Sequence, residues 1–118
     1  MSSIFGIGID VVHIDRFQES LDRTPGLLQR IFTPTEATLS ISSLAARFAA
    51  REAAMKALDL GLGAWGFHDV SVVRDGLGPP RLAVVGKALE VASQFGVHGW
   101  KVSLTHTDTV AMAVVAAL

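Results

Sequence analysis

One long alanine-rich segment constrains the fold more than any other part of the chain. Residues 43–58 are SLAARFAAREAAMKAL, in which Ala, Leu, Phe and Met occupy most positions. A helix with so few polar residues is typical of one that is buried on most sides. The segment therefore predicts a central helix against which the other elements must pack.

The rest of the sequence predicts strands and shorter helices around this helix. Residues 4–14 alternate, with Phe5, Ile7, Ile9 and Val11 on one face and both glycines and Asp10 on the other, which is typical of a strand. Helices are predicted over 14–24, 43–58 and 86–95, and strands over 4–14, 67–74, 81–85, 100–105 and 110–117, the second and third strands forming a hairpin. A capping box in Thr33-Pro34-Thr35-Glu36 predicts another short helix. The predicted fold class is α+β, with a mainly antiparallel sheet packed against the long Ala-rich helix.

Composition excludes several classes of function. The 118 residues predict a single domain over 1–118, and a hydrophobic fraction of 50% excludes intrinsic disorder. A formal net charge of -1 argues against nucleic acid as a partner, since phosphate neutralisation needs clustered positive charge. There are no cysteines, which excludes thiolate catalysis and thiolate metal sites. The N-terminus lacks the basic region of a signal peptide and no apolar stretch is long enough to span a membrane, so we expect a cytoplasmic protein.

Charged residues interrupt the apolar helix, and two interpretations of them stay open. Phe48, Glu52 and Lys56 are spaced by four and form one row along its surface. An exposed Glu–Lys pair is the structural explanation and a site is the functional one. Because so little of this helix is expected to face solvent, spacing does not decide between them.

Asp10 and His106 are the other two anomalies. Asp10 lies in the middle of a predicted strand, two residues after Gly8, where a glycine leaves room for close approach to the backbone. It is either a ligand of Mg²⁺, which takes one or two carboxylates together with phosphate oxygens, or a cap of the following helix. His106 is structural or catalytic, and the other histidines lack the spacing of a zinc site. From the residues alone we predict a small α+β domain with Mg²⁺–phosphate chemistry at Asp10 and Glu52.

Three blocks of sequence together resemble one family. They are GIGIDVVHIDRF at 6–17, LAARFAAREAAMKAL at 44–58 and VSLTHTDTVAMAVV at 102–115. Their order and spacing are similar to those of the short phosphopantetheinyl transferases, the holo-[acyl-carrier-protein] synthases. The resemblance implies Mg²⁺-dependent transfer of 4'-phosphopantetheine from coenzyme A to a serine of an apo acyl carrier protein, with release of adenosine 3',5'-bisphosphate. The alternatives are a Mg²⁺-dependent phosphohydrolase acting on coenzyme A-like nucleotides and a non-catalytic coenzyme A-binding trimer.

The resemblance also implies a role for individual residues. Asp10 and Glu52 match the family's metal ligands, and Glu52 and Lys56 match its catalytic positions. Lys56 also matches a coenzyme A contact, as do Arg47, His106 and Thr107. Arg16 and Arg23 match the basic surface that meets the acyl carrier protein. Family members of this size are homotrimers, so Asp10, Glu52 and Lys56 would face Arg47, His106 and Thr107 of a neighbouring copy.

The sequence departs from the family pattern at five positions. They are His13, Arg51, Asp59, Leu60 and Pro79, where the family more often has an acidic residue, Lys, Gly, Thr and Lys. None of the departures coincides with a residue assigned above to the metal, coenzyme A or the carrier protein. They predict loops near the site that differ in shape from those of relatives.

Overall fold

The computed structural model describes residues 3–118, which form five strands, four α-helices and one 3₁₀ turn. In chain order these are β1 Gly6–His13, α1 Ile14–Arg23, α2 Leu27–Ile31, the 3₁₀ turn Glu36–Thr38, α3 Ile41–Ala57, β2 Val70–Val73, β3 Arg81–Val84, α4 Gly86–Gln94, β4 Trp100–His106 and β5 Val110–Ala117. The predicted α+β class is confirmed. None of the helices within residues 3–118 combines the length and the apolarity that crossing a membrane requires.

The strands form two antiparallel sheets. One has three strands in the order β1-β5-β4, and the other is the predicted hairpin of β2 and β3. In the larger sheet Asp10 lies opposite Ala113, which lies opposite Leu104 on β4. Residues opposite one another share a face of the sheet, so this register places Asp10 and the inner residues of β4 on one side.

Helix α3 packs against that side through its alanines, as its composition predicts. Ala45, Ala49, Ala50 and Ala53 are fully buried. The helix lies so close to β1 that a Cβ on Gly6 would come within 2.0 Å of the Ala57 carbonyl oxygen. A Cβ on Gly8 would come within 1.8 Å of the carbonyl oxygen of Ala53. The space beside Asp10 that the glycines predict is therefore filled by α3, and the carboxylate of Asp10 lies against this helix.

Three local details differ from the sequence prediction. Helix α2 was not predicted, because five residues are too few to show a helical period. The capping box forms, with the Thr33 N–H donating to Glu36 Oε1 and the Glu36 N–H donating to Thr33 Oγ1, both at 3.3 Å. It nevertheless starts only a single 3₁₀ turn. Helix α3 begins at Ile41 and not at residue 43, because the Ser40 side chain caps it by accepting from the Ser43 N–H at 3.4 Å.

Candidate active site

Asp10 and Lys56 meet where β1 passes α3. The Lys56 ammonium donates to Asp10 Oδ1 at 2.9 Å and to the Ile9 carbonyl oxygen at 3.1 Å. The Asp10 side chain is 17% exposed and that of Lys56 is 54% exposed. The interpretation of Asp10 as a cap of α1 is not supported, because its carboxylate points to α3 and His13 occupies the N-cap position.

Glu52 lies one helical turn before Lys56 and belongs to the same site. Burial raises the pKa of the Glu52 carboxyl above its ordinary value, the negative charge of Asp10 raises it further, and the charge of Lys56 partly offsets both effects. Two carboxylates that repel each other therefore lie near one ammonium group, which is bound to Asp10. Such a pair gains stability from any additional cation placed between its members.

The two carboxylates line one open cavity. This carboxylate cavity, of about 600 Å³, is lined by Asp10, His13, Arg16, Phe48, Glu52 and Leu62, among others. A second cavity of about 320 Å³, the apolar cavity, adjoins it and shares Phe48, Glu52 and Leu62. Its remaining wall is formed largely by Met55, Trp65 and Phe67. The site therefore combines a charged opening with an apolar compartment directly beside it.

The donor set fits Mg²⁺. Among residues 3–118 there is no group of three or more His, Cys, Asp or Glu side chains that could enclose a metal ion. Mg²⁺ does not need such a group, since it commonly binds one or two carboxylates and completes its shell with water and substrate phosphates. The mutual repulsion of Asp10 and Glu52 is the observation that favours a cation here.

Arg47 lies in a different part of the chain's surface. It is five residues before Glu52 on α3, which places the two side chains about 140° apart around the helix axis. Its Nε lies 3.9 Å from Glu36 Oε2, and it lines a third cavity, the arginine cavity, together with Glu36 and Arg74. One copy of the chain thus does not bring Arg47 to the carboxylate cavity.

His106 and Thr107 lie at the turn between β4 and β5, and both are exposed. His106 lies opposite Ala111, on the face of the sheet that also carries Asp10. The hydroxyl of Thr107 accepts hydrogen bonds from the N–H groups of Thr109 and Val110, each at 3.2 Å. Thr107 therefore shapes this turn, in addition to any contact it makes with a ligand.

Helix α1 presents both predicted carrier-binding arginines to solvent. Arg16 and Arg23 are exposed and are seven residues apart, so they lie on the same face, two turns from one another. Arg16 also lines the carboxylate cavity. The exposed Glu19 lies between the two arginines on this face, which reaches the opening of the candidate site at Arg16.

Sequence reasoning missed the buried ion pair of Arg51 and Glu36, which are 3% and 2% exposed. The Arg51 guanidinium donates to Glu36 Oε1, to the Ile31 carbonyl oxygen and, at 2.7 Å, to the Val70 carbonyl oxygen. It also lies 4.8 Å from the centre of the Phe32 ring. Arg51 is the residue before Glu52 on α3, and its side chain joins this helix to α2 and β2. The capping-box glutamate was the only sequence signal, because the three partners lie 15 to 20 residues away.

Besides Arg51, two departures from the family pattern lie next to site residues. His13 lines the carboxylate cavity from the end of β1. Asp59 has a φ of 56°, and its N–H donates to the Lys56 carbonyl oxygen at 3.0 Å. Asp59 therefore turns the chain away at the end of α3, where a left-handed backbone would favour glycine.

Comparison with known proteins gives a consistent picture. Residues 6–115 match the family model of the 4'-phosphopantetheinyl transferase superfamily. A holo-[acyl-carrier-protein] synthase of Streptomyces avermitilis is 49% identical, with 98% of each chain covered, and one of Clavibacter michiganensis is 47% identical, with 95% of this chain and 93% of the relative covered.

Solved structures show the same similarity. The crystal structure of the holo-[acyl-carrier-protein] synthase of Neisseria meningitidis superposes with a TM-score of 0.88 at 28% identity, covering 98% of this chain and 99% of the other. That of Helicobacter pylori, in complex with coenzyme A, superposes with a TM-score of 0.83 at 30% identity, covering 95% and 99%.

Proposed function

The chain belongs to the 4'-phosphopantetheinyl transferase superfamily as a holo-[acyl-carrier-protein] synthase, and we propose that it transfers 4'-phosphopantetheine from coenzyme A to a serine of an apo acyl carrier protein. The reaction depends on Mg²⁺ and releases adenosine 3',5'-bisphosphate. The observation that carries the proposal is the carboxylate cavity, which Asp10 and Glu52 line inside a fold of this family, with the Lys56 ammonium bound to the Asp10 carboxylate.

The transfer forms one phosphorus–oxygen bond and breaks another. The serine oxygen of the carrier attacks the β-phosphorus of coenzyme A, and the oxygen shared with the nucleotide leaves with adenosine 3',5'-bisphosphate. Asp10 and Glu52 would hold Mg²⁺, which would offset the negative charge of the pyrophosphate. The Lys56 ammonium supplies a second positive charge on the leaving side. Glu52 lines the cavity that would receive the serine, which makes it the candidate acceptor of the serine proton.

The apolar cavity supplies a place for the rest of the donor. It shares Glu52 with the carboxylate cavity and continues toward Trp65 and Phe67. A pantetheine chain joined to the reacting phosphate can therefore leave the charged opening and lie against aromatic side chains. Burial of apolar surface there contributes to donor affinity without contact to the reacting atoms.

The active protein is proposed to be a homotrimer. The outer face of the larger sheet is apolar and uncovered: Ile7, Ile9 and Val11 are 61%, 51% and 54% exposed, and Val114 lies beside Ile9 on β5. An exposed apolar patch of this kind is typical of an interface between proteins. Assembly of copies would also bring Arg47, His106 and Thr107 of one chain to the carboxylate cavity of the next.

The carrier protein is proposed to dock on α1. Acyl carrier proteins are acidic, and the exposed Arg16 and Arg23 supply two positive charges on α1, of which Arg16 lines the carboxylate cavity. Docking there would place the acceptor serine at the opening that Asp10 and Glu52 line.

Nucleotide release tests this reaction against simple hydrolysis. The protein is incubated with coenzyme A and Mg²⁺, with and without apo acyl carrier protein, and adenosine 3',5'-bisphosphate is quantified by chromatography. Transfer predicts release equal in amount to the carrier added, and none without carrier or with a carrier whose acceptor serine is replaced by alanine. Release that is independent of carrier would overturn the proposal in favour of a phosphohydrolase.

A further inference from the structure

The Arg51 side chain holds α3 to three other parts of the fold at once. Each of its guanidinium nitrogens donates to a different acceptor: Nε to the Val70 carbonyl oxygen at 2.7 Å, Nη1 to the Ile31 carbonyl oxygen and Nη2 to Glu36 Oε1. The planar fork of a guanidinium fixes the directions of these donors relative to one another. Arg51 therefore ties α3 to β2, to the end of α2 and to the 3₁₀ turn in a single defined orientation.

Glu36 is itself held from the opposite side. Its Oε2 accepts from the Val72 N–H at 3.2 Å, and its Oε1 also accepts from the Thr33 N–H at 3.3 Å. Glu36 and Arg51 are both buried. Neither side chain can turn without breaking a hydrogen bond to another segment, so the carboxylate is a fixed acceptor for the guanidinium.

Stability alone is a poor explanation for this buried pair. Burial lowers the pKa of the Arg51 guanidinium, whereas the charge of Glu36 and its hydrogen bond act in the opposite direction. The attraction within a buried ion pair roughly repays the cost of removing both charges from water, and apolar side chains of similar volume often stabilise a fold as well. What the directed bonds add is one orientation of α3 relative to α2 and β2.

The orientation of α3 sets the direction in which Glu52 leaves the helix. Neighbouring residues differ by about 100° around a helix axis, so a fixed Arg51 also fixes Glu52. On its other side α3 packs closely on Gly6 and Gly8 of β1. Glycines set the distance between two elements but offer no side-chain ridges that resist rotation. Because Asp10 lies on β1, the relative position of the two carboxylates depends on the rotation that Arg51 fixes.

We infer that Arg51, held by Glu36, is a positioning residue for Glu52 and thereby sets the affinity of the carboxylate cavity for Mg²⁺. This inference rests on the proposed function and adds to it a residue that acts on the metal through the orientation of α3. Mg²⁺ demands near-ideal octahedral geometry, so a rotation that displaces one of two carboxylates weakens its binding. Loss of the pair therefore weakens Mg²⁺ binding even where the protein stays folded.

A double variant removes the pair without leaving one charge buried alone. In Arg51→Met with Glu36→Gln both charges disappear together and the side chains nearly keep their size. Melting temperatures of the complete protein, measured against Mg²⁺ concentration without coenzyme A or carrier, give an apparent dissociation constant. The double variant is expected to need about tenfold more Mg²⁺ than the wild-type protein, the usual effect of losing a group that orients a metal ligand. Arg51→Lys keeps the charge opposite Glu36 and should recover most of the affinity.

Two controls separate positioning from stability. Arg81→Met with Asp75→Asn removes an exposed ion pair by closely matching substitutions and should leave the Mg²⁺ dependence unchanged. Val97→Ala removes buried volume after the end of α4 and should lower the melting temperature in chelator without changing the Mg²⁺ dependence. If Val97→Ala weakens Mg²⁺ binding as much as the double variant does, lost stability is the cause and the inference is overturned.

The same titration distinguishes failure of this inference from failure of the proposed function. If the wild-type protein and the double variant respond to the same Mg²⁺ concentrations, the positioning role of Arg51 is wrong and the proposed reaction is untouched. If the wild-type protein gains no stability from Mg²⁺, the metal site of the proposed function is wrong and this inference falls with it.

Discussion

The surroundings of the Glu52 carboxyl group raise its pKa. Burial and the Asp10 charge both disfavour its ionised form, and Lys56 only partly compensates. An arrangement that destabilises the free protein at neutral pH is typical of a functional site. A bound cation would stabilise the ionised form of this carboxylate. The repulsion that disfavours ionisation in the free protein is therefore the same interaction that favours binding of a cation.

Replacing Glu52 by Gln is expected to abolish transfer while preserving or raising the stability of the metal-free protein. The folded-state pKa of Glu52 is raised, so its contribution to stability is present at low pH and is lost as pH rises through that pKa. Gln cannot ionise and escapes this loss. Melting temperatures measured in chelator should therefore diverge in favour of Glu52→Gln between pH 4 and pH 7, by up to a few degrees.

The effect of Mg²⁺ on the melting temperature tests Glu52 as a metal ligand. Adding it at neutral pH should raise the melting temperature of the wild-type protein and leave that of Glu52→Gln nearly unchanged, because a ligand stabilises only the form that binds it. Equal stabilisation of both proteins would remove Glu52 from the metal site.

Lys56→Ala is expected to impair the reaction far more than the fold. The Lys56 side chain is more than half exposed, so its ion pair with Asp10 contributes at most about 1 kcal/mol to stability. Its charge lowers the pKa of Glu52, so removing it should move the acidic limb of the pH–rate profile to higher pH. We expect kcat to fall at least tenfold, whereas Lys87→Ala, on the exposed side of α4, should match the wild-type protein. An unshifted acidic limb would show that Lys56 does not act on Glu52.

At the scale of secondary-structure elements, the close packing of β1 on α3 sets the geometry of the site. The glycines of β1 and the alanines of α3 remove the side chains that would hold the two elements apart. Asp10 and Glu52 come from these two elements, so their separation depends directly on this packing.

Gly8→Ala tests that dependence. The added Cβ would lie 1.8 Å from the Ala53 carbonyl oxygen, a backbone atom that cannot move without shifting α3. We expect a loss of about 1–3 kcal/mol in the free energy of unfolding, which is the usual cost of overpacking, and a loss of Mg²⁺-dependent activity. Gly61→Ala, where no atom lies within 4 Å of the added Cβ, is the control. Urea denaturation followed by circular dichroism measures both, and equal stability of the two variants would contradict this account.

Sequence patterns were sufficient for the elements with a clear period, and they singled out Asp10 and Glu52, which line one cavity in the structure. A period of two placed Asp10 on the face of the glycines, and a period near four placed Glu52 and Lys56 in one row. The pattern could not show which partner filled the space beside the glycines. The sequence pattern also could not predict the Arg51–Glu36 pair or the position of Arg74 in the arginine cavity. These contacts join segments that only the tertiary fold brings together.

At the scale of the whole molecule, one chain holds two separate parts of the proposed site. The carboxylate cavity and the arginine cavity lie on different faces of α3, and the apolar outer face of the sheet remains uncovered. The proposed association through that face would account for both observations, because it would bury the apolar residues and let one copy supply what the next lacks.

Ile9→Asp is expected to dissociate the assembly and to abolish transfer with it. Ile9 is 51% exposed on the outer sheet face, and a carboxylate there would be buried without a partner in the interface. Sedimentation velocity should show a species about three times the 12.5 kDa chain mass for the wild-type protein and a single chain for the variant. Leu77→Asp places the same charge on a fully exposed loop residue and should remain assembled and active. An active single chain would refute the shared site.

The intact mass of an apo acyl carrier protein, measured after incubation with this protein, coenzyme A and Mg²⁺, tests the central claim most directly. The account predicts a gain of one 4'-phosphopantetheine group per carrier. This gain should be lost when chelator is added and when Asp10 is replaced by alanine. A carrier mass that stays unchanged across several apo carriers, with folded protein and saturating coenzyme A, would contradict the claim.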